Sequence, residues 1–373
     1  MSVSITKPEL LIDKKKCIQN IELMLLKAKK HNLQFRPHFK THQSAEIGRW
    51  FMDYGVSKIT VSSVEMAEYF SDKGWENITI AFPVNIPELD KIDILAKKIK
   101  LNLLVANYES VKFINNVLTN KVSIFIKIDT GYHRSGISAD DFKQIGQTIK
   151  EIKKGKHLFC GFLTHSGNTY DAKNTREILK IHSDSKEKLV LLKKHFEKKS
   201  KNIIVSIGDT PSCTLAENFN GVNEIRPGNF VFFDLMQEKL GVCSYEQIAV
   251  SMACPVVDKQ PERNEIVIYG GAVHFSKEYI FDEKGNKIFG RVVKLNSESW
   301  SNPLNNAYLK SMSQEHGIIK LEKEDFDKIK IASIIGILPV HSCLSSNNMN
   351  SYLDFEGTGI SKFNYPQNLR EVL

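Results

Sequence analysis

No stretch of this 373-residue chain is both long and apolar. The most apolar run, Ile331 to Val340, is far too short to cross a bilayer, so no membrane partner is expected. The six cysteines (Cys17, Cys160, Cys213, Cys243, Cys254, Cys343) include no C-x-x-C pair, which argues against a disulfide framework and leaves no zinc-finger spacing. The segment Met1-Ser2-Val3-Ser4-Ile5-Thr6-Lys7-Pro8 lacks the charged start, apolar core and small-residue cleavage site of a secretory leader. A cytoplasmic address with reduced thiols is the expectation. Low-complexity linkers and sequence repeats are missing too, and a content of 42% hydrophobic and 25% charged residues excludes a disordered or collagen-like chain.

What the chain has in excess is positive charge, 51 Lys+Arg against 43 Asp+Glu for a net +8. Runs such as Lys27-Ala28-Lys29-Lys30 and Lys153-Lys154-Gly155-Lys156 read as solvated helix faces. No aromatic-interleaved basic module accompanies them, so no nucleic-acid partner is expected.

The apolar positions Cys17, Ile21, Met24 and Ala28 form the stripe of an amphipathic helix, and a strand-like run at 33–39 follows. The alternation then repeats. Strand candidates fall at 58–62, 78–82, 101–105, 122–129, 158–165, 203–207 and 223–226, and helical patterns separate most of them: Val64 to Lys73, Pro87 to Lys98, Asp140 to Lys153 and Asn174 to Lys199. Eight strand-helix units outline a (β/α)8 TIM-like barrel, with a doubly wound open sheet as the competing arrangement. The unusual residues gather just after the strands, on the face where barrels build active sites, and this favours the barrel. Past residue 240 no long helical period appears: Gln247 to Val257, Glu265 to Tyr269 and Ile331 to Pro339 read as strands, and Phe281 to Phe289 as a hairpin. The expected organisation is a barrel at 11–240 followed by a mainly β C-terminal domain at 241–373, which residues 1–10 are candidates to join.

The segment Arg36-Pro37-His38-Phe39-Lys40-Thr41-His42 sets a lysine at the end of the first strand with histidines on both sides. A lysine amine in a dry or cationic setting can form a Schiff base, although a lysine in a turn is also an ordinary surface residue. Gly208-Asp209-Thr210-Pro211 and Arg226-Pro227-Gly228-Asn229 follow strands seven and eight, the standard phosphate site of barrels. An imine-forming lysine plus a phosphate cradle suggests pyridoxal 5′-phosphate (PLP). His341-Ser342-Cys343 follows the last buried strand; in an extended segment this spacing turns imidazole and thiolate to one face, a donor pair suited to zinc. A buried cysteine beside a hydrogen-bonded histidine reads equally well there. Ser313-Gln314-Glu315-His316-Gly317 adds a carboxylate and an imidazole suitable for bonding to metal ligands, or simply a helix end.

Taken together these segments, with Asp129-Thr130-Gly131-Tyr132-His133-Arg134-Ser135-Gly136 and His165-Ser166-Gly167-Asn168-Thr169-Tyr170, resemble the D-serine dehydratase and D-threonine aldolase family of fold type III PLP enzymes, relatives of alanine racemase. By this resemblance Lys40 carries PLP and acts as the catalytic base, and His38 lies close behind it. Tyr170, Asp209, Thr210, Gly228 and Asn229 match phosphate-binding positions. Arg134 is similar to the arginine near the cofactor's ring oxygen, and Arg226 to the one on the pyridine side. His341 and Cys343 match the metal pair, with Glu315 and His316 behind it. Dehydratases of the family use H-x-C where aldolases tend to use H-x-D, so zinc and dehydration are implied. Two departures stand out: Asp209 where a small hydroxyl residue is more usual, and the polar Ser345-Ser346-Asn347-Asn348 after the metal pair.

The implied activity is β-elimination of a D-3-hydroxy amino acid, D-serine to pyruvate and ammonia, assisted by a metal-bound β-hydroxyl. If His165 instead takes the hydroxyl proton, the outcome is D-threonine aldolase chemistry. A third reading, from another class, is a non-catalytic PLP-binding protein. Family relatives are homodimers, and the resemblance implies one here.

Overall fold

The computed structural model describes residues 4–364, so the ends of the expected β domain at 1–3 and 365–373 lie outside the described residues. The chain divides into two compact units, Leu23–Gly228 and, with the N-terminal segment up to Glu22, Asn229–Asn364.

In chain order the first strands are β1 (Glu9–Ile12), β2 (Gln34–Phe35), β3 (Ile59–Val61), β4 (Asn77–Pro83), β5 (Lys100–Val105), β6 (Ser123–Asp129), β7 (Ile137–Ser138), β8 (Leu158–Leu163), β9 (Ile204–Ile207) and β10 (Glu224–Ile225). All but β1 and β7 join in one parallel sheet, ordered β2-β10-β9-β8-β6-β5-β4-β3. The sheet curls until its edges meet: Thr60 N–H donates to the Pro37 carbonyl at 2.9 Å and Phe39 N–H to the Thr60 carbonyl at 2.9 Å. The expected eight-strand α/β barrel is therefore present. Its strands are short and buried on both faces, as a sheet covered by helices requires.

Most of the helices between these strands start on side-chain caps, Leu89–Lys98 being an exception. Ser44, Ser63, Asn107, Asp141 and Asn174 each accept a first-turn N–H, ahead of Ala45–Asp53, Val64–Ser71, Tyr108–Val117, Phe142–Lys154 and Thr175–Phe196. Ala45–Asp53 and Tyr108–Val117 are absent from the sequence expectation. Tyr108–Val117 buries only Val111 and Ile114, too few for a visible stripe.

One layer of the barrel interior is polar. Arg36 Nε meets Glu224 Oε2 at 2.7 Å, Ser206 Oγ donates to Glu224 Oε1 at 2.7 Å, and Arg226 Nε donates to Ser206 Oγ at 2.7 Å, all buried. Such a network holds only because each member is satisfied, and it fixes Arg226 at the strand ends.

The second unit contains β11 (Val250–Gln260), β12 (Glu265–Tyr269), β13 (Ile280–Phe281), β14 (Lys287–Ile288), β15 (Gly290–Val293), β16 (Tyr308–Met312), β17 (His316–Lys320), β18 (Ile334–Pro339), β19 (Ser351–Leu353) and β20 (Gly359–Ser361). Antiparallel pairing runs β12-β17-β16-β15-β18-β11 and returns from β11 to β12, closing a six-stranded barrel. The expected hairpin at 281–289 is β13–β14. The boundaries differ from 11 and 240. β1 pairs antiparallel with β11 (Glu9↔Ala253), so the N-terminal segment extends this sheet, and Met236 N–H donates to the Val340 carbonyl at 3.1 Å, which ties 229–240 to this unit.

Candidate functional site

The turn after β2 presents Lys40 with its side chain exposed. Its backbone N–H donates to His38 Nδ1 at 3.3 Å, and Gln43 Nε2 donates to its carbonyl at 3.0 Å, so the turn is set without the amine. Burial, then the charges of Lys40, Arg226, His165 and Arg134, hold the His38 imidazole well below its usual pKa. A neutral ring agrees with a nitrogen that accepts. His165, after β8, has Nδ1 at 2.7 Å from the Gly208 carbonyl oxygen. A carbonyl only accepts, so Nδ1 carries the proton and Nε2 keeps a lone pair. Burial and Lys40 keep this ring neutral as well, well below its usual value.

Tyr132 and Arg134 stand on a loop made by Asp129, whose Oδ1 accepts the N–H groups of Gly131, Tyr132 and His133 at 2.9–3.1 Å. The Arg134 guanidinium lies 5.3 Å from the centre of the Tyr132 ring, which meets His165 edge-on at 5.9 Å. A Cβ at Gly167 would stand 2.3 Å from that tyrosine ring, so the glycine lets the ring lie where it does.

Sequence reasoning missed Lys127 on β6. Its signal was a lysine in the middle of an apolar strand. Burial, then Arg226 and Arg134, pull its pKa from 10.5 to about 7, against Asp129. The folded pKa is below the unfolded one, so the stability lost to this lysine appears as pH falls from 10.5 towards 7 and stays lost below that. Lys127→Met should therefore stabilise the cofactor-free protein by roughly 2–4 kcal/mol at about pH 6, with little gain above about pH 10. Urea unfolding at both pH values checks this, and equal gains would contradict it.

Lys127 thus feels the charges of Arg226 and Arg134, and His165 those of Lys40, Arg134 and Lys127, so four cations share this end of the barrel. Burial brings Arg226 down to about 10, against the charge of Glu224. The carboxylates around them are occupied: Glu224 by Arg36 and Ser206, Asp129 by its own loop, and Asp209 by Ser212 and Thr169. An anionic cofactor fits this surplus of positive charge.

At the two glycine turns the details differ from the expectation. Asp209 caps the short helix Thr210–Leu215, its Oδ1 accepting from Ser212 N–H at 2.7 Å and from Thr169 Oγ1 at 3.0 Å. Burial raises this carboxyl to about 6 despite those bonds. The Asp209 carboxyl, which stands where a small hydroxyl residue is more usual, is thus bonded to Ser212 in its own turn and to Thr169, and Thr210 follows it, buried. Tyr170 lies in the turn of 3-10 helix Gly167–Asp171. Gly228 is packed against the backbone of His38, where a Cβ would sit 2.8 Å from the carbonyl oxygen. Asn229 departs most: its side chain belongs to the second unit and donates to Asp234 and Ser342.

In that second unit His341 precedes the helix Ser342–Asn348 without its side chain capping it, and Cys343 sits in the first turn. The pair is brought together by a helix start, not by the strand alternation that the spacing suggested. Their side chains hydrogen-bond to each other. Burial lowers the His341 pKa, but the bond and charge of Cys343, with Asp234 and Glu278, outweigh it and raise it to about 9. His341 Nδ1 is buried with no hydrogen-bond partner. A strongly negative spot with an unused imidazole nitrogen fits a divalent cation. Among the described residues no group of three or more His, Cys, Asp and Glu could hold a metal, so two protein donors would leave the other positions open. Glu315 lies in the β16–β17 turn with its Oε2 4.0 Å from His274 Nε2, and His316 opens β17 with its side chain exposed.

Comparison with known proteins matches residues 12–235 to the family described as alanine racemase, N-terminal domain, and residues 249–354 to a putative serine dehydratase domain. A D-serine dehydratase from Dictyostelium discoideum is 31% identical over 85% of each chain. A D-threo-3-hydroxyaspartate dehydratase from Delftia sp. (strain HT23) is 27% identical over 94% of each. The solved structure of the Delftia enzyme superposes with a TM-score of 0.89 at 25% identity, covering 97% of this chain and 98% of that one.

Proposed function

The chain belongs to the alanine racemase N-terminal domain family, joined to a serine dehydratase domain, and from that premise we propose that it is a PLP- and zinc-dependent D-serine dehydratase. The observation that carries the dehydratase reading is Cys343: a half-buried imidazole bonded to a thiol is a soft donor pair that favours zinc. The names of the two relatives support it.

Bound PLP supplies an electron sink for the charge left at Cα, and zinc supplies a Lewis acid for the β-hydroxyl. The protein's own groups do the rest. Lys40 holds the cofactor and, as a free amine, takes the Cα proton. Its exposed position after β2 leaves it free to move between the two tasks. Arg226, locked by Ser206, and Arg134 hold the negative charge of cofactor and substrate. His341 and Cys343 would hold the cation, whose Lewis acidity would ease departure of the hydroxyl group. Water then completes the conversion to pyruvate and ammonia.

A second reading has its own observation. Nε2 of neutral His165 is a base, and removal of the hydroxyl proton would lead to Cα–Cβ cleavage, the aldolase outcome. Products decide. Purified protein should convert D-serine to pyruvate, followed with lactate dehydrogenase, and D-threonine to 2-oxobutyrate. Glycine and acetaldehyde from D-threonine would replace the dehydratase reading with the aldolase one, and PLP binding without turnover of either would leave a non-catalytic binder.

A further inference from the structure

Asp234, between the turn at 228–229 and the helix Leu235–Lys239, is almost fully buried, and no cation is paired with it among the described residues. Its Oδ2 accepts from Asn229 Nδ2 at 2.7 Å and from Ser342 N–H at 2.9 Å, with Ser342 Oγ at 3.2 Å, while Oδ1 accepts the N–H of Gln237 at 3.0 Å. Both oxygens thus take N–H bonds, the pattern of an ionised carboxylate. The cap on Gln237 alone would not need burial of a charge, since a serine or asparagine caps equally well.

The other bonds point elsewhere. Ser342 is the residue between His341 and Cys343, and Asp234 grips both its N–H and its hydroxyl. Asn229 Nδ2 also lies 2.9 Å from Ser342 Oγ and 3.6 Å from Cys343 Sγ. Because a carboxylate can only accept, Asp234 decides which end of the Asn229 amide faces the sulfur: the NH2 end, a donor. Turned over, the amide would set its carbonyl oxygen against both a carboxylate and a thiolate. The Oδ1 of Asn229 is buried without a partner, so nothing else in the described residues fixes the amide this way round.

We propose that Asp234 is the positioning residue of the metal pair. It pins Ser342 so that His341 and Cys343 keep their spacing, and it orients Asn229 to donate to the Cys343 thiolate. Its charge also adds to that of Glu278 beside the pair, and a two-donor site without it would hold the cation less firmly. This rests on the metal assignment made above.

The test is zinc affinity, measured on PLP-loaded protein stripped of metal and titrated with zinc against a colorimetric chelator. Asp234→Asn keeps size and burial and should weaken zinc binding by at least about tenfold, with turnover returning at saturating zinc. In cobalt(II)-loaded protein, Asn229→Ala leaves the carboxylate in place but should shift the sulfur-to-cobalt charge-transfer band, a readout that a merely structural role would not move. If Asp234→Asn does not fold, the Asn229→Ala spectrum and its zinc affinity carry the test. Wild-type affinity in Asp234→Asn, or an unmoved band in Asn229→Ala, overturns the proposal, provided that His341→Ala loses zinc. Should His341→Ala bind zinc as tightly as the wild type, the metal assignment itself fails.

Discussion

Lys40→Ala is expected to lower pyruvate release from D-serine by about 10³–10⁴-fold, the range associated with removal of a catalytic base. The structure separates this loss from misfolding. The turn that carries Lys40 is held by its backbone N–H on His38 and by Gln43 on its carbonyl, and neither bond involves the side chain removed. Thermal unfolding should therefore stay close to wild type. Lys40→Arg keeps the charge but cannot hold the cofactor covalently, because a guanidinium stays protonated. It should be equally inactive. A small exogenous amine should restore part of the activity to Lys40→Ala, since it can supply the missing base, whereas it should do nothing for Arg. Retention of more than about a tenth of wild-type turnover by Lys40→Ala would remove Lys40 from the chemistry.

The barrel was legible because its signal is coarse. Eight short apolar runs at regular spacing survive shifts of a few residues, so 78–82 and Asn77–Pro83 report the same strand. What escaped was set by partners distant in the chain. β1 has four residues and becomes a strand by pairing with Ala253 to Val250, which no local period announces. β7 is two residues beside the end of β6. For the candidate site, residue type singled out Lys40, His165, His341 and Cys343, but it did not show how they are held. The polar layer joining Arg36, Glu224, Ser206 and Arg226 spans positions up to 190 apart, since Arg226 − Arg36 = 190, and only folding brings them together. Asn229 shows the limit most clearly. Adjacent to Gly228 in a turn that resembles a phosphate site, its side chain is used 113 residues away, on Ser342.

Cys343→Ala is the other change expected to have a large effect, at least about 10²-fold on metal-dependent turnover, because it leaves a single imidazole to hold the cation. The substitution suits the local structure. Alanine is a better helix former than cysteine in the first turn of Ser342–Asn348, and Asn229 keeps Asp234 and Ser342 as acceptors. Stability should be preserved, and so should the visible absorbance of bound PLP, which depends on Lys40. Loss of turnover with the colour intact would place the defect at the leaving group instead of at proton removal. Cys343→Asp refines the point. A carboxylate keeps the negative charge but is a hard donor, so zinc should bind more weakly than in wild type while manganese or magnesium gains relative to it. If that variant regains D-threonine cleavage with the harder metal, the donor at this position chooses between hydroxide loss and carbon–carbon cleavage. If Cys343→Ala turns over D-serine at the wild-type rate in the presence of a chelator, elimination proceeds without the cation, and proton transfer from Lys40, protonated once it has taken the Cα proton, must account for departure of the hydroxyl group.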